Sequence, residues 1–125
     1  MKTLICKVDG FDIYFEPLEE YATIDKEWSD DEEMREDTIA KLESGEWVMF
    51  CAHVTAEKNG NVFGDDYLGM CIYTTYEEFY TKYKDDYFAD MKDTALTEAK
   101  KEMQQLINEY YNKPVYISVN SGGMI

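Results

Sequence analysis

The chain has 125 residues, of which 45% are hydrophobic and 15% aromatic, which fits one folded domain with a core of its own. Its 27 acidic residues against 12 basic ones give a formal charge of -15, which repels nucleic acid and anionic membrane surfaces and argues against direct binding of either. No run approaches the roughly 20 apolar residues of a membrane span. The opening MKTLICKVDG is broken by Lys7 and Asp9 before a signal-peptide core can form, so a cytoplasmic location is expected. Cys6, Cys51 and Cys71 are an odd number without framework spacing and are expected to be reduced thiols.

In chain order, TLICKV (3–8) and FDIYFE (11–16) are β-rich runs joined by Asp-Gly, which predicts a hairpin. Residues 17–28 hold Pro17 and no clean period. Ser29 stands three residues before Glu32, a capping-box spacing, and the acids that follow suit the positive end of a helix dipole. A helix from about Asp30 to Glu43 is predicted, stopped by Gly45. Only Met34, Ile39, Ala40 and Leu42 are apolar along it, so it is expected on the surface.

EWVMFCAHVTAE and VFGDDYLGMCIYT flank KNGN, a strong hairpin signal. With Asn59 and Gly60 as turn residues, Lys58 faces Asn61, Cys51 faces Leu68 and Val48 faces Cys71. One face then carries Val48, Phe50, Ala52, Val54, Phe63, Tyr67, Cys71 and Tyr73. The other carries Trp47, Met49, Cys51, His53, Leu68, Met70 and Ile72. Two apolar faces predict cover on both sides, by helices or by a second subunit docked on Trp47, Met49, Leu68, Met70 and Ile72.

Thr75 and Glu78 repeat the capping-box spacing before a short helix, YEEFYTKY. A long helix follows from about Tyr87 to Tyr111, with a stripe of Phe88, Met91, Ala95, Ala99, Met103, Leu106 and Tyr110. VYISV (115–119) reads as a final strand and 120–125 as a loose tail. The order β-β-α-β-β-α-α-β predicts an α+β fold: one domain over 1–125, an antiparallel sheet of about five strands with helices packed on it.

Metal and catalytic chemistry find little support. Cys51-x-His53 and Cys71 fall on opposite faces in this register, whereas tetrahedral zinc needs converging ligands. Neither SDDEEMREDT nor GDDYLG has the order of a calcium loop. His53 is the sole histidine and has no nucleophile motif around it. Asp65 and Asp66 form a carboxylate pair that works as acid and base only in an apolar pocket. No catalytic residue, metal or cofactor is expected.

The charge distribution is the remaining signal. Glu19, Glu20, Asp25, Glu27, Asp30, Asp31, Glu32, Glu33, Glu36 and Asp37 are interrupted only by Lys26 and Arg35. Carboxylates on a helix rising ~1.5 Å per residue approach the density of duplex DNA, one phosphate per ~1.7 Å of axis. This face, with Asp65 and Asp66, is the candidate surface for a basic, nucleic-acid-binding partner. Solvated surface is the plainer reading of the same residues.

In size, charge and α+β layout the chain resembles the small acidic phage- or plasmid-encoded anti-defence proteins, antirestriction and anti-CRISPR, several of which act as DNA mimics. The Glu19 to Asp37 cluster and the acidic pairs of GDDY and YKDDYFAD carry the likeness. The resemblance implies a non-enzymatic inhibitor that occupies the DNA-binding surface of a restriction enzyme or CRISPR effector. Lys82, Lys84, Lys92, Lys100, Lys101 and Lys113 point to a one-sided patch rather than whole-surface mimicry. Two other classes compete: a homodimeric structural or regulatory module, and a small-molecule enzyme with its pocket between sheet and long helix.

Overall fold

Two type I′ turns set the sheet. In this computed structural model, which describes residues 1–81 and 86–112, β1 (Thr3–Val8) and β2 (Phe11–Leu18) are joined by Asp9 and Gly10 at φ 52° and 86°. β3 (Val48–Lys58) and β4 (Asn61–Tyr73) are joined by Asn59 and Gly60 at φ 53° and 81°. Left-handed backbone at both turn residues matches strand twist, and Asp-Gly and Asn-Gly tolerate it best. The four strands pair antiparallel in the order β1-β2-β3-β4. Among the described residues three helices accompany the sheet in an α+β fold: α1 (Glu32–Ser44), α2 (Glu78–Thr81) and α3 (Tyr87–Asn112). The expected fifth strand, 115–119, and the tail, 120–125, lie outside the described residues.

The predicted register of the second hairpin holds only beside its turn. Lys58 faces Asn61 and Glu57 faces Val62, but Ala56 then faces Gly64 and Phe50 faces Cys71, so β4 gains a residue twice. Each bulge turns the following side chains over, and the second cancels the first. Phe63, Cys71 and Tyr73 therefore stay on the core side as expected. Between the bulges the faces exchange: Leu68 pairs with Ala52 on the core side, while Tyr67 pairs with His53 on the outer side. Gly64 stands at the first bulge and Gly69 within the second, and a glycine inside a strand marks such an irregularity. The second is held from outside the hairpin, by the Glu20 carboxylate accepting the N–H of Met70, which sits at φ 55°.

Among the described residues the core lies on one face of the sheet. Ile13, Phe15, Phe50, Ala52, Val54 and Ala56 from the sheet meet Phe79 of α2 and Phe88, Met91, Ala95, Leu96 and Ala99 of α3. Its centre is aromatic, with Phe15 stacked on Phe79 at 5.4 Å and edge-on to Phe50 at 5.9 Å. The expected stripe of α3 is buried as far as Ala99 and partly at Met103. Leu106 and Tyr110, 44% and 75% exposed, lie beyond it; among the described residues no strand lies beneath the last turns.

The outer face is not apolar as predicted. Its β3 positions are Met49, Cys51, His53, Thr55 and Glu57, only the first of them strongly apolar, and ion pairs cross it: Lys2 to Glu57 at 2.8 Å, Lys7 to Asp12 at 3.6 Å and His53 to Asp65 at 2.9 Å. Such cross-strand pairs belong to a sheet face turned to water. Glu57 is nevertheless buried, its carboxylate held by Lys2 and by the Thr55 hydroxyl at 2.7 Å. Among the described residues no helix is long and apolar enough to cross a membrane.

Candidate functional site

The acidic segment begins by binding itself to the sheet. Glu20 accepts the N–H groups of Met70 and Ala22, and the Met70 bond is the main cause holding its carboxyl below the ordinary carboxylate value. Asp25 closes the next turn: one oxygen takes the Thr23 hydroxyl at 3.0 Å, the other the N–H groups of Glu27 and Trp28 at 3.0 and 3.3 Å. Those bonds, the Thr23 hydroxyl first, lower the Asp25 pKa. The Glu19 carboxylate accepts the Tyr21 hydroxyl, which pushes that phenol up.

α1 starts two residues later than predicted, and its cap is Asp31 rather than Ser29. The Asp31 carboxylate accepts the Met34 N–H at 3.0 Å, while the Ser29 hydroxyl accepts the N–H of Asp31 at 3.2 Å. Two residues compete for one role, and the carboxylate is the stronger acceptor beside a helix N-terminus. Arg35 turns back to donate to the Ser29 carbonyl at 2.6 Å. The single arginine of the segment thus holds the helix start together. Gly45 ends the helix in left-handed backbone at φ 83°, as predicted.

α1 buries only Thr38; Met34 and Ile39 are 51% and 37% exposed. Its apolar residues gather on no single face, so the carboxylates radiate into solvent. Asp37 pairs with Lys41 at 3.2 Å, and Asp31, Glu33, Glu36 and Asp37 line a shallow concavity with Met34. The ten acids therefore divide. Glu20, Asp25 and Asp31 serve the backbone, Glu19 takes the Tyr21 hydroxyl and Asp37 pairs within its own helix. Among the described residues no ion pair engages Glu27, Asp30, Glu32, Glu33 or Glu36, all exposed.

Asp65 and Asp66 do not join this face. Both lie within β4, on opposite sides of the sheet: Asp65 bonds His53, and Asp66 accepts the N–H of Tyr67 at 3.0 Å. Their part is clearer along the strand edge, where carboxylates accept four N–H groups at the β4 end of the sheet. Glu98 takes Asp65 at 3.0 Å, Asp66 takes Tyr67, Glu20 takes Met70, and Glu78 takes Thr74 at 2.9 Å. Open edges template unwanted strand pairing, and charge is a standard way to blunt them. A share of the acidity is thus architectural, which no reading of charge density along the chain would find.

The residues tested for chemistry fare less well. His53 stacks on Tyr67 with ring centroids 4.1 Å apart and planes 6° from parallel. The Cys51 thiol, two residues away on the same strand, is pushed up first by burial and then by the Glu20 charge. A nucleophilic cysteine needs the opposite shift. Cys71 faces the core, its thiol pushed up to about 11 by desolvation. The three cysteines are free, and among the described residues no three metal-binding side chains converge.

The expected dimer face is also divided. Met49 pairs with Ile72 on the outer side, but Leu68 turns to the core and Lys41 lies over the Trp47 ring at 4.4 Å. Comparison with protein-family models, with curated proteins and with solved structures gives no match.

Proposed function

We propose that the protein is a non-enzymatic interaction protein whose α1 face engages a basic, nucleic-acid-binding groove. An anti-defence inhibitor of a CRISPR effector or restriction enzyme is the form this reading takes. The observation that carries it is the division of the acidic segment. Glu20 ties the start of the segment to β4 and Asp31 caps the helix, leaving Glu27, Asp30, Glu32, Glu33 and Glu36 exposed. Charges on a preformed helix meet a groove with less ordering entropy to lose than charges on a free chain.

The experiment is charge reversal of Asp30, Glu32, Glu33 and Glu36 to lysine, sparing Asp31 because it caps α1. Partner binding, read by calorimetry or surface capture against the candidate nuclease, is expected to fall steeply with salt, to be competed by duplex DNA, and to be lost in the variant. Binding that survives the four reversals refutes the proposal.

A further inference from the structure

A groove of about 340 Å³ opens where the acidic segment meets the edge of β4, floored by residues 68–73 and walled by Trp28 and Tyr87. We propose that this groove takes an apolar or aromatic side chain flanked by basic residues on a partner protein, and so anchors the contact that the acidic face attracts. The inference rests on the proposed function and adds to it the hydrophobic anchor that charge alone lacks.

Three observations support this occupant. The main chain at Trp28 is held in a turn, its backbone N–H accepted by both the carbonyl and the carboxylate of Asp25, at 3.0 and 3.3 Å. Acids adjoin the groove: the Glu20 carboxylate bonds Met70 in its floor, and among the described residues Glu27, Asp30 and Asp31, within three positions of Trp28, and Asp86 and Asp90, within three of Tyr87, are all exposed. An anionic ligand is repelled there and a cationic segment is drawn in. Strand addition is opposed as well, because Glu20 and Glu78 already occupy the N–H groups of Met70 and Thr74. The occupant therefore enters by a side chain. Aromatic walls over a floor of mixed polar and apolar surface, with acids close by, suit an aromatic anchor carried on a basic segment.

The chain has two tryptophans, so Trp47→Phe leaves Trp28 as the sole indole reporter. The full-length variant is titrated at low salt with a short lysine-flanked peptide carrying a central phenylalanine, and with its glycine counterpart. The phenylalanine peptide is expected to bind about tenfold more tightly, the low end for burying an aromatic side chain, and to change Trp28 emission. Tyr87→Ala, in a residue 50% exposed, removes that preference while leaving the salt-dependent affinity for the glycine peptide. Equal affinity for the two peptides leaves the acidic-face reading standing and overturns the groove. Failure of both to bind at low salt overturns both readings. A preference that survives Tyr87→Ala overturns the assignment to this groove.

Discussion

Replacing Gly64 with alanine tests how closely α3 must lie on the sheet. A Cβ there would stand 2.1 Å from the Ala95 carbonyl oxygen, 2.7 Å from the Ala99 nitrogen and 3.1 Å from the Ala95 carbonyl carbon. All three are backbone atoms, so no rotamer change relieves them. Ordinary contact begins at 3.4 Å, which puts the carbonyl oxygen about 1.3 Å too close. If α3 lifts by that amount, Phe88, Met91 and Leu96 move with it off the core. A gap of ~0.5–1 Å already forfeits a quarter to a half of a dispersion contact. Overpacking costs ~1–3 kcal/mol and sometimes more, and an obstacle made of helix backbone favours the upper end. Gly64→Ala is thus expected to lose about 3 kcal/mol, a large share of the ~5–15 kcal/mol of a small domain. Gly69→Ala is the control: its Cβ meets only the Glu20 carboxylate, at 3.0 Å, and a side-chain end can shift. Urea denaturation followed by circular dichroism measures both. A Gly64→Ala protein within ~0.5 kcal/mol of wild type, the range of a neutral surface change, would refute the close approach.

Two further predictions concern titration and thiol chemistry. The Glu20 carboxyl lies below its ordinary value of 4.5 in the folded protein because it accepts the Met70 N–H. The folded state then binds fewer protons than the unfolded one, so the contribution is complete above the ordinary value and lost as pH falls through the depressed one. Glu20→Gln should flatten the acid limb of the stability curve; an unchanged limb would count against the bond. Cys71, raised to about 11, should resist iodoacetamide at neutral pH in the folded protein and react in urea, as read by mass spectrometry. Equal rates in the two conditions would contradict its burial.

The elements legible in the sequence were those whose cause is local. Asp9-Gly10 and Asn59-Gly60 favour left-handed backbone at both turn positions wherever they occur, and Gly45 ends α1 for the same reason. Thr75 accepts the Glu78 N–H at 3.3 Å, as its spacing predicts. The start of α1 was less legible because Ser29 and Asp31 both suit a cap, and a two-residue difference separates the outcomes. The acidic segment was plain as a concentration of charge. Its division into carboxylates that hold backbone and carboxylates that face solvent was not, since Glu20 finds its acceptor role fifty residues away in sequence, at Met70.

Chain order, strand and helix type and the two turns follow from residue preferences acting within a few positions, and the sequence by itself determined them. Which side of β4 each residue faces, how many carboxylates stay free of the backbone, and whether a groove opens beside Trp28 were decided by tertiary structure. The physical reason is that each depends on contacts between distant segments: α3 on Gly64, Glu20 on the second bulge, and Trp28 across from Tyr87. A one-residue slip in an antiparallel pair reverses every side chain beyond it; Gly64 and Gly69 mark where β4 can bulge, but the contacts that hold the bulges come from distant segments.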